Sequence, residues 1–331
     1  MKGIERMRRL LGKETVDLLL LMAMLVLIFS FLSPRFLTVA NFASMGYQAP
    51  LLGLLTIAML APMISGGLNL AIVYTANISG LTMAAIVLAF GGPEAGTSAI
   101  LLGAFAAILA GAIAGAVMGL IIAYVGAHPI LVSLAMMIFL RGLGEFLTRG
   151  GDVSGFPAEF ASLGHGSLFG LPAPLLLFAV VALAWQILLR KSRHGFSVYM
   201  VGSNIRATAY SGLPTRRTLV LIYTLSGVVC AIAGILMLAR FNSVRVGHGE
   251  ALLLVTVLAI FLGGIDPFGG HGKVLPVILA ILILQMLSSG LSLVGANPHL
   301  STAVWGLFLI LVMVLRSEQF TLFRKRKGIK T

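Results

Sequence analysis

Ten apolar runs, most of them long enough to cross a bilayer, follow one another along this chain and leave it few ways to fold. They lie at roughly 18–32, 43–64, 70–90, 99–125, 130–147, 173–189, 218–239, 251–262, 274–294 and 301–315. A helix needs about 20 apolar residues to span the hydrocarbon core. No water reaches that depth, so each segment must close its own backbone hydrogen bonds, which a helix does. Charged residues make up only 10% of 331, and mean hydropathy is +1.06. Soluble domains carry about 25% charge, which excludes that class. The expected fold class is all-α: a polytopic membrane protein of about ten transmembrane helices.

The net charge of +13 is a topology signal rather than a nucleic-acid footprint, because of where the charges fall. Lys2, Arg6, Arg8, Arg9 and Lys13 precede the first run. Arg190, Lys191, Arg193, Arg206, Arg216 and Arg217 share one connection, Lys273 lies in another, and Arg316, Arg324, Lys325, Arg326, Lys327 and Lys330 close the chain. Ten crossings from a cytoplasmic N-terminus place these eighteen of 23 inside. Arg35, Arg141, Arg149, Arg240 and Arg245 are left at or near outer ends. Both termini are thus expected in the cytoplasm, with 316–331 a basic tail and the whole of 1–331 one membrane domain. The first run exceeds a secretory h-region and ends at Ser33-Pro34-Arg35 with no small-residue cleavage pattern, as a retained signal anchor does. Cys230, the single cysteine, lies within an apolar run as a small packing residue.

Two polar, glycine-rich breaks interrupt the pattern: Ser65-Gly66-Gly67-Leu68-Asn69-Leu70, and Gly263-Gly264-Ile265-Asp266-Pro267-Phe268-Gly269-Gly270. Their backbone groups need protein or water, and paired breaks in separate halves point to a transport path. The runs entering them, Leu51–Ile64 and the fifteen residues between Glu250 and Asp266, are short for a crossing. Broken helices meeting inside the protein and tight cytoplasmic turns both fit. Gly66, Gly67, Asn69, Gly263, Gly264 and Asp266 are the candidate path residues. Asn69 fits either a route for hydroxyl-bearing solutes, since it donates and accepts, or a cap on the helix beginning at Leu70.

Gly103, Ala107, Gly111, Gly115, Gly119 and Ala123 recur every four residues, a stripe that favours close helix packing over a ligand groove. Chemistry is otherwise sparse. There is no phosphate-binding loop, no metal-ligand spacing among the six histidines and no nucleophile elbow. Arg141 and Glu145 can pair on one helix near its outer end, but no chain of ionisable residues runs through the spans as in ion-coupled carriers. Energy for uphill transport must then come from another chain. The 190–218 connection offers an attachment point: Asn204 as N-cap, a short helix over Ile205–Ser211, then Gly212 and Pro214 as stops. It also fits a loop that serves topology alone.

The Ser-Gly-Gly-Leu-Asn-Leu of 65–70, the Gly-x-Asn-x-x-Ala-x-x-x-Ser-Gly-Leu of 202–213, and the Leu-Gly-Gly-Ile-Asp-Pro-Phe-Gly-Gly of 262–270 together resemble the ribose-type ABC transporter permeases. The resemblance covers nearly the whole chain. It implies a non-catalytic permease subunit of an ATP-driven importer for a monosaccharide or related polyhydroxy solute in the bacterial plasma membrane. The implied partners are an ATP-binding cassette ATPase that binds the ATP, an extracytoplasmic solute-binding protein and a second permease subunit. No cofactor or metal is expected in this chain. Gly202, Asn204, Ala207, Ser211 and Gly212 match the segment that docks on the ATPase. The first motif departs from the family, with Asn69 at the usual acidic position and Ala71 at the next serine, followed by Tyr74 and Asn77. That leaves a nucleoside or other non-sugar ligand open. An ATP-independent secondary transporter and a non-transporting scaffold are the other classes; the missing ionisable relay disfavours the first, and the two polar breaks the second.

Overall fold

The computed structural model describes residues 12–297, with 300, 303–308 and 310. Helices α1 (Lys13–Leu32), α2 (Val39–Ile64) and α3 (Ile72–Ala89) lead to a 3-10 turn at Gly92–Glu94. Next come α4 (Thr97–Leu120), prolonged by a π turn over Ile121–Val125, and α5 (Pro129–Thr148). The connection that follows holds β1 (Val153–Ser154), α6 (Ala158–His165), β2 (Ser167–Leu168) and β3 (Leu171–Pro172). Then come α7 (Ala173–Lys191), α8 (Arg193–Ser203), α9 (Ile205–Tyr210), α10 (Thr215–Phe241), β4 (Ser243–Val244), α11 (Leu252–Leu262) and α12 (Val274–Leu293). Among the described residues, 8 helices are long and apolar enough to cross a membrane, while α11 has only 11 residues. The run at 301–315 and the basic tail fall largely outside the described residues. The strands are two-residue antiparallel pairs, β1 with β4 and β2 with β3.

Three connections share one end of the bundle. A side chain on Gly12 would begin 3.5 Å from Lys273 Nζ, and the Tyr199 hydroxyl donates to the Gly272 carbonyl at 2.8 Å. The start of α1, the α7–α10 connection and the start of α12 therefore lie together. An even number of crossings separates each from the next, as the charge pattern requires. This is the basic end.

Helix α2 is the buried centre, with every residue from Ala49 to Ile64 enclosed. It begins at Val39, capped by Thr38, and runs for 26 residues through Pro50 and Pro62, so it is not the short segment its polar start suggests. The polar residues are matched across the interface by α12. Ser289 Oγ donates to Asn41 Oδ1 at 2.6 Å, and Gln285 Nε2 donates to Gln48 Oε1 at 3.4 Å. Such pairs let polar side chains sit within a span.

The glycine stripe of α4 packs against α3 and α10. A methyl on Gly111 would strike the Gly227 carbonyl, one on Gly115 the Tyr223 carbonyl, and one on Gly119 would lie 2.7 Å from Val220 Cα. Gly227 meets the Gly111 backbone in return, and Gly234 of α10 meets the Ala76 carbonyl of α3. The stripe is consumed in packing.

Candidate translocation and coupling site

Both breaks begin with the same helix ending. At α2, Gly66 (φ +85°) donates to Met63 and Gly67 donates to the Pro62 carbonyl at 2.9 Å. At α11, Gly264 (φ +85°) donates to Phe261 and Ile265 donates to the Ile260 carbonyl at 3.2 Å. A left-handed glycine followed by a bond back to the final turn is the Schellman closure, and it satisfies carbonyls the helix leaves open. The glycines here end helices at the basic end, which is the tight-turn alternative of the sequence expectation.

The remainder of the first break climbs back into the bundle. Ser133 on α5 donates to the Leu68 carbonyl at 2.8 Å, and a side chain on Gly67 would collide with the Tyr223 hydroxyl. Asn69 is fully buried. Its Oδ1 accepts from the Ala71 amide at 3.0 Å and its Nδ2 donates to Ser226 Oγ on α10 at 3.0 Å. The helix that follows starts at Ile72, so Asn69 forms a turn ahead of it rather than capping a helix at Leu70. In this conformation both polar atoms of Asn69 are engaged with protein.

In the second break, Gly263 packs on α12, where its Cβ would lie 2.7 Å from Val277 Cα. Asp266 Oδ1 accepts from the Phe268 amide at 2.9 Å, a turn the side chain itself holds. Phe268 is 88% exposed beside it.

Helix α8 joins these elements. Ser192 caps it by accepting from Gly195 N at 3.0 Å, and its Val198 and Val201 are buried against the bundle. Near its end, Gly202 presses on the Ile64 carbonyl and on the Gly270 amide, and those two groups are themselves hydrogen-bonded at 2.8 Å. The end of α2, the end of α8 and the second break therefore meet at one backbone knot. Burial holds the Tyr199 hydroxyl above its ordinary 10.0, keeping it a donor to Gly272. From the knot, α9 projects outward. Asn204 Oδ1 accepts from Ala207 N at 3.0 Å, the cap expected for it, and Thr208 Oγ1 ties α9 back to the Met200 carbonyl at 2.7 Å. Ala207, Ser211 and Gly212 are exposed, Gly212 with φ +79°, and Tyr210 is 93% exposed. Of the sequence-predicted residues, Gly66, Asp266 and Gly202 gather at the knot; Gly67, Gly263 and Gly264 adjoin it along the two breaks. Asn69 lies deeper, and Asn204, Ala207, Ser211 and Gly212 lie just outside it.

The opposite half of the bundle brings in residues with little sequence signal. The loop 245–250 dips inward: Asn77 on α3, in the amide orientation that satisfies both its atoms, accepts from Gly247 N at 3.1 Å and donates to His248 O at 3.2 Å. Arg141 bonds Glu145 at 3.0 Å and also reaches Glu250 at 3.5 Å. The expected Arg141–Glu145 pair is thus one side of a three-residue cluster. Glu250, a lone acid ahead of a short apolar run, carries only that as a clue.

A family model described as "Branched-chain amino acid transport system / permease component" matches residues 41–313. The chain is 35% identical over 216 residues to the autoinducer 2 import system permease protein LsrD of Yersinia enterocolitica, a stretch covering 63% of this chain and 65% of the relative. The LsrD of Yersinia pseudotuberculosis matches at 35% and that of Yersinia pestis at 34%, each over the same shares. The match thus spans a little under two thirds of these relatives' length. No solved structure matches the chain.

Proposed function

The chain belongs to the family of branched-chain amino acid transport system permease components, and on that premise we propose that it is the membrane-spanning subunit of an ATP-driven importer for a small polyhydroxy solute. It is a multi-pass membrane protein, and the basic end faces the cytoplasm by the positive-inside rule. The autoinducer 2 named for its relatives is the first solute to test, with monosaccharides next.

The observation that carries this reading is the backbone knot joining α8 to both breaks. A short, exposed, capped helix at the cytoplasmic face is a surface for an ATPase subunit, and Tyr210 and Phe268 supply exposed aromatic anchors of the kind that dominate interfaces. Motion of α9 reaches Ile64 and Gly270 through Gly202 without an intervening side chain. Gly66, Gly67, Gly263, Gly264 and Asp266 then form the inner end of the route, and Asn69 sets the start of α3 above it. The ATP is bound by the partner ATPase, a solute-binding protein delivers cargo from outside, and a second permease subunit completes the pathway.

Co-expression with a candidate ATPase and a candidate solute-binding protein from the same genome, followed by reconstitution in vesicles, tests it. Uptake of autoinducer 2 or a labelled pentose that requires ATP and both partners is the expected result. Uptake that persists without the ATPase would refute it.

A further inference from the structure

Helix α11 is about 16 Å long at 1.5 Å per residue, roughly half the hydrocarbon thickness. The loop before it covers the other half. Asn77, which holds Gly247 and His248, lies twelve residues below the end of α3, a depth of about 18 Å. Glu250 follows at the foot of this loop. Arg141, seven residues short of the end of α5, meets it there. Arg141, Glu145 and Glu250 keep 51%, 49% and 56% of their side chains exposed. Arg141 and Glu250, about 10 Å below the end of α5, must face water or protein, because lipid does not solvate such charges, while Glu145 lies nearer that end.

Tyr74 lies at the inner edge of this cluster. Its ring lies under the Arg141 guanidinium, 5.9 Å from centroid to carbon. The residue is 2% exposed, and its hydroxyl is turned toward the Glu250 carboxylate but closes no hydrogen bond of ordinary geometry. A buried hydroxyl that closes no hydrogen bond beside a half-exposed ionic cluster can take a ligand group as its partner.

We propose that Tyr74, Arg141, Glu145 and Glu250 line the outer half of the translocation route and form a way-station for a neutral hydroxylated solute that disfavours anions. The chemistry suits such a ligand. Carboxylates accept from hydroxyl groups, Arg141 and the Tyr74 hydroxyl supply donors, and the aromatic ring offers an apolar face. One cation against two carboxylates leaves a net charge of −1, which repels carboxylate and phosphate groups from the same space. Arg245 and Asp152, a second pair at the mouth (3.7 Å), cancel each other. The proposal rests on the permease reading for its cargo, whereas the wet, anionic lining is measurable without transport.

The test uses a Cys230→Ala background with Gly142→Cys beside Arg141, a position with open space around it. Impermeant cationic and anionic thiosulfonates of similar size are applied from outside to membranes containing the full chain. The expected result is labelling, with the cationic reagent several-fold faster after correction for its rate on a free thiol. Glu250→Gln, which keeps the side-chain shape, narrows that ratio. Absence of labelling, equal corrected rates, or a ratio unmoved by Glu250→Gln overturns the proposal. If the labelling pattern holds while ATP-dependent uptake is never observed, the permease reading fails and the lining stands. In uptake assays Tyr74→Phe and Arg141→Gln raise the half-saturating solute concentration at unchanged membrane levels, and normal uptake in both removes the way-station.

Discussion

Replacing Gly202 with alanine tests whether the knot is a structural unit. The added methyl would overlap the Ile64 carbonyl oxygen and lie 2.5 Å from the Gly270 amide nitrogen. These are the two partners of a 2.8 Å hydrogen bond, so the methyl fits only by separating them. A buried pair left unmade costs about 1–3 kcal/mol, and shifting packed backbone costs about 1–3 kcal/mol more. The expected destabilisation is therefore about 2–6 kcal/mol. Gly212→Ala is the control, because its φ is +79° and nothing lies within 4 Å of the new Cβ, leaving only left-handed backbone strain of about 1–2 kcal/mol. Unfolding from detergent is irreversible, so the readout is the half-life of monodisperse protein at fixed temperature, followed by fluorescence-detected size exclusion. Gly202→Ala should shorten it clearly more than Gly212→Ala. Equal half-lives would show that the backbones at 64, 202 and 270 part without cost, and the argument for direct transmission through Gly202 would fall with them.

Three further outcomes follow from the same geometry. Asn69→Leu strands the Ala71 amide and Ser226, a loss of about 2–5 kcal/mol that shows as reduced folded yield, while Asn69→Ser retains an acceptor and loses less; equal yields would mean these bonds do not hold the first break. Ala207→Glu leaves membrane levels unchanged but abolishes co-purification of the ATPase, and unchanged co-purification with normal uptake would reduce α9 to a topology element. A cysteine at Ser203 in the Cys230→Ala background resists impermeant reagents in intact cells and reacts once the membrane is opened; labelling in intact cells would invert the assigned orientation.

Most crossings are legible in the chain because an apolar run of membrane length has one stable backbone solution. The start of α2 is not, since Asn41 and Gln48 resemble a polar boundary. Their partners Ser289 and Gln285 lie 248 and 237 positions away, beyond the reach of any local pattern. Helix α8 hides for a different reason: its buried Val198 and Val201 are embedded in a connection whose basic residues read as loop. Within the site, Asn204 and Gly212 announce a short helix through local chemistry alone. The glycines of both breaks announce chain endings in the same way. That residues 64, 202 and 270 touch is a property of packing, and nothing at any one of those positions encodes the other two.

The reciprocal glycine contacts between α4 and α10, extended to α3 at Gly234, have a mechanical consequence. Where side chains separate two helices, small rotamer changes let them slide, but here carbonyls rest directly on glycine backbone and leave no compliant layer. The three helices must travel as a single stiff beam. Any alternation between inward- and outward-open shapes is then a hinge problem, with its pivots at the first break, at Gly126 and in the loop ahead of α11, where chain leaves the beam.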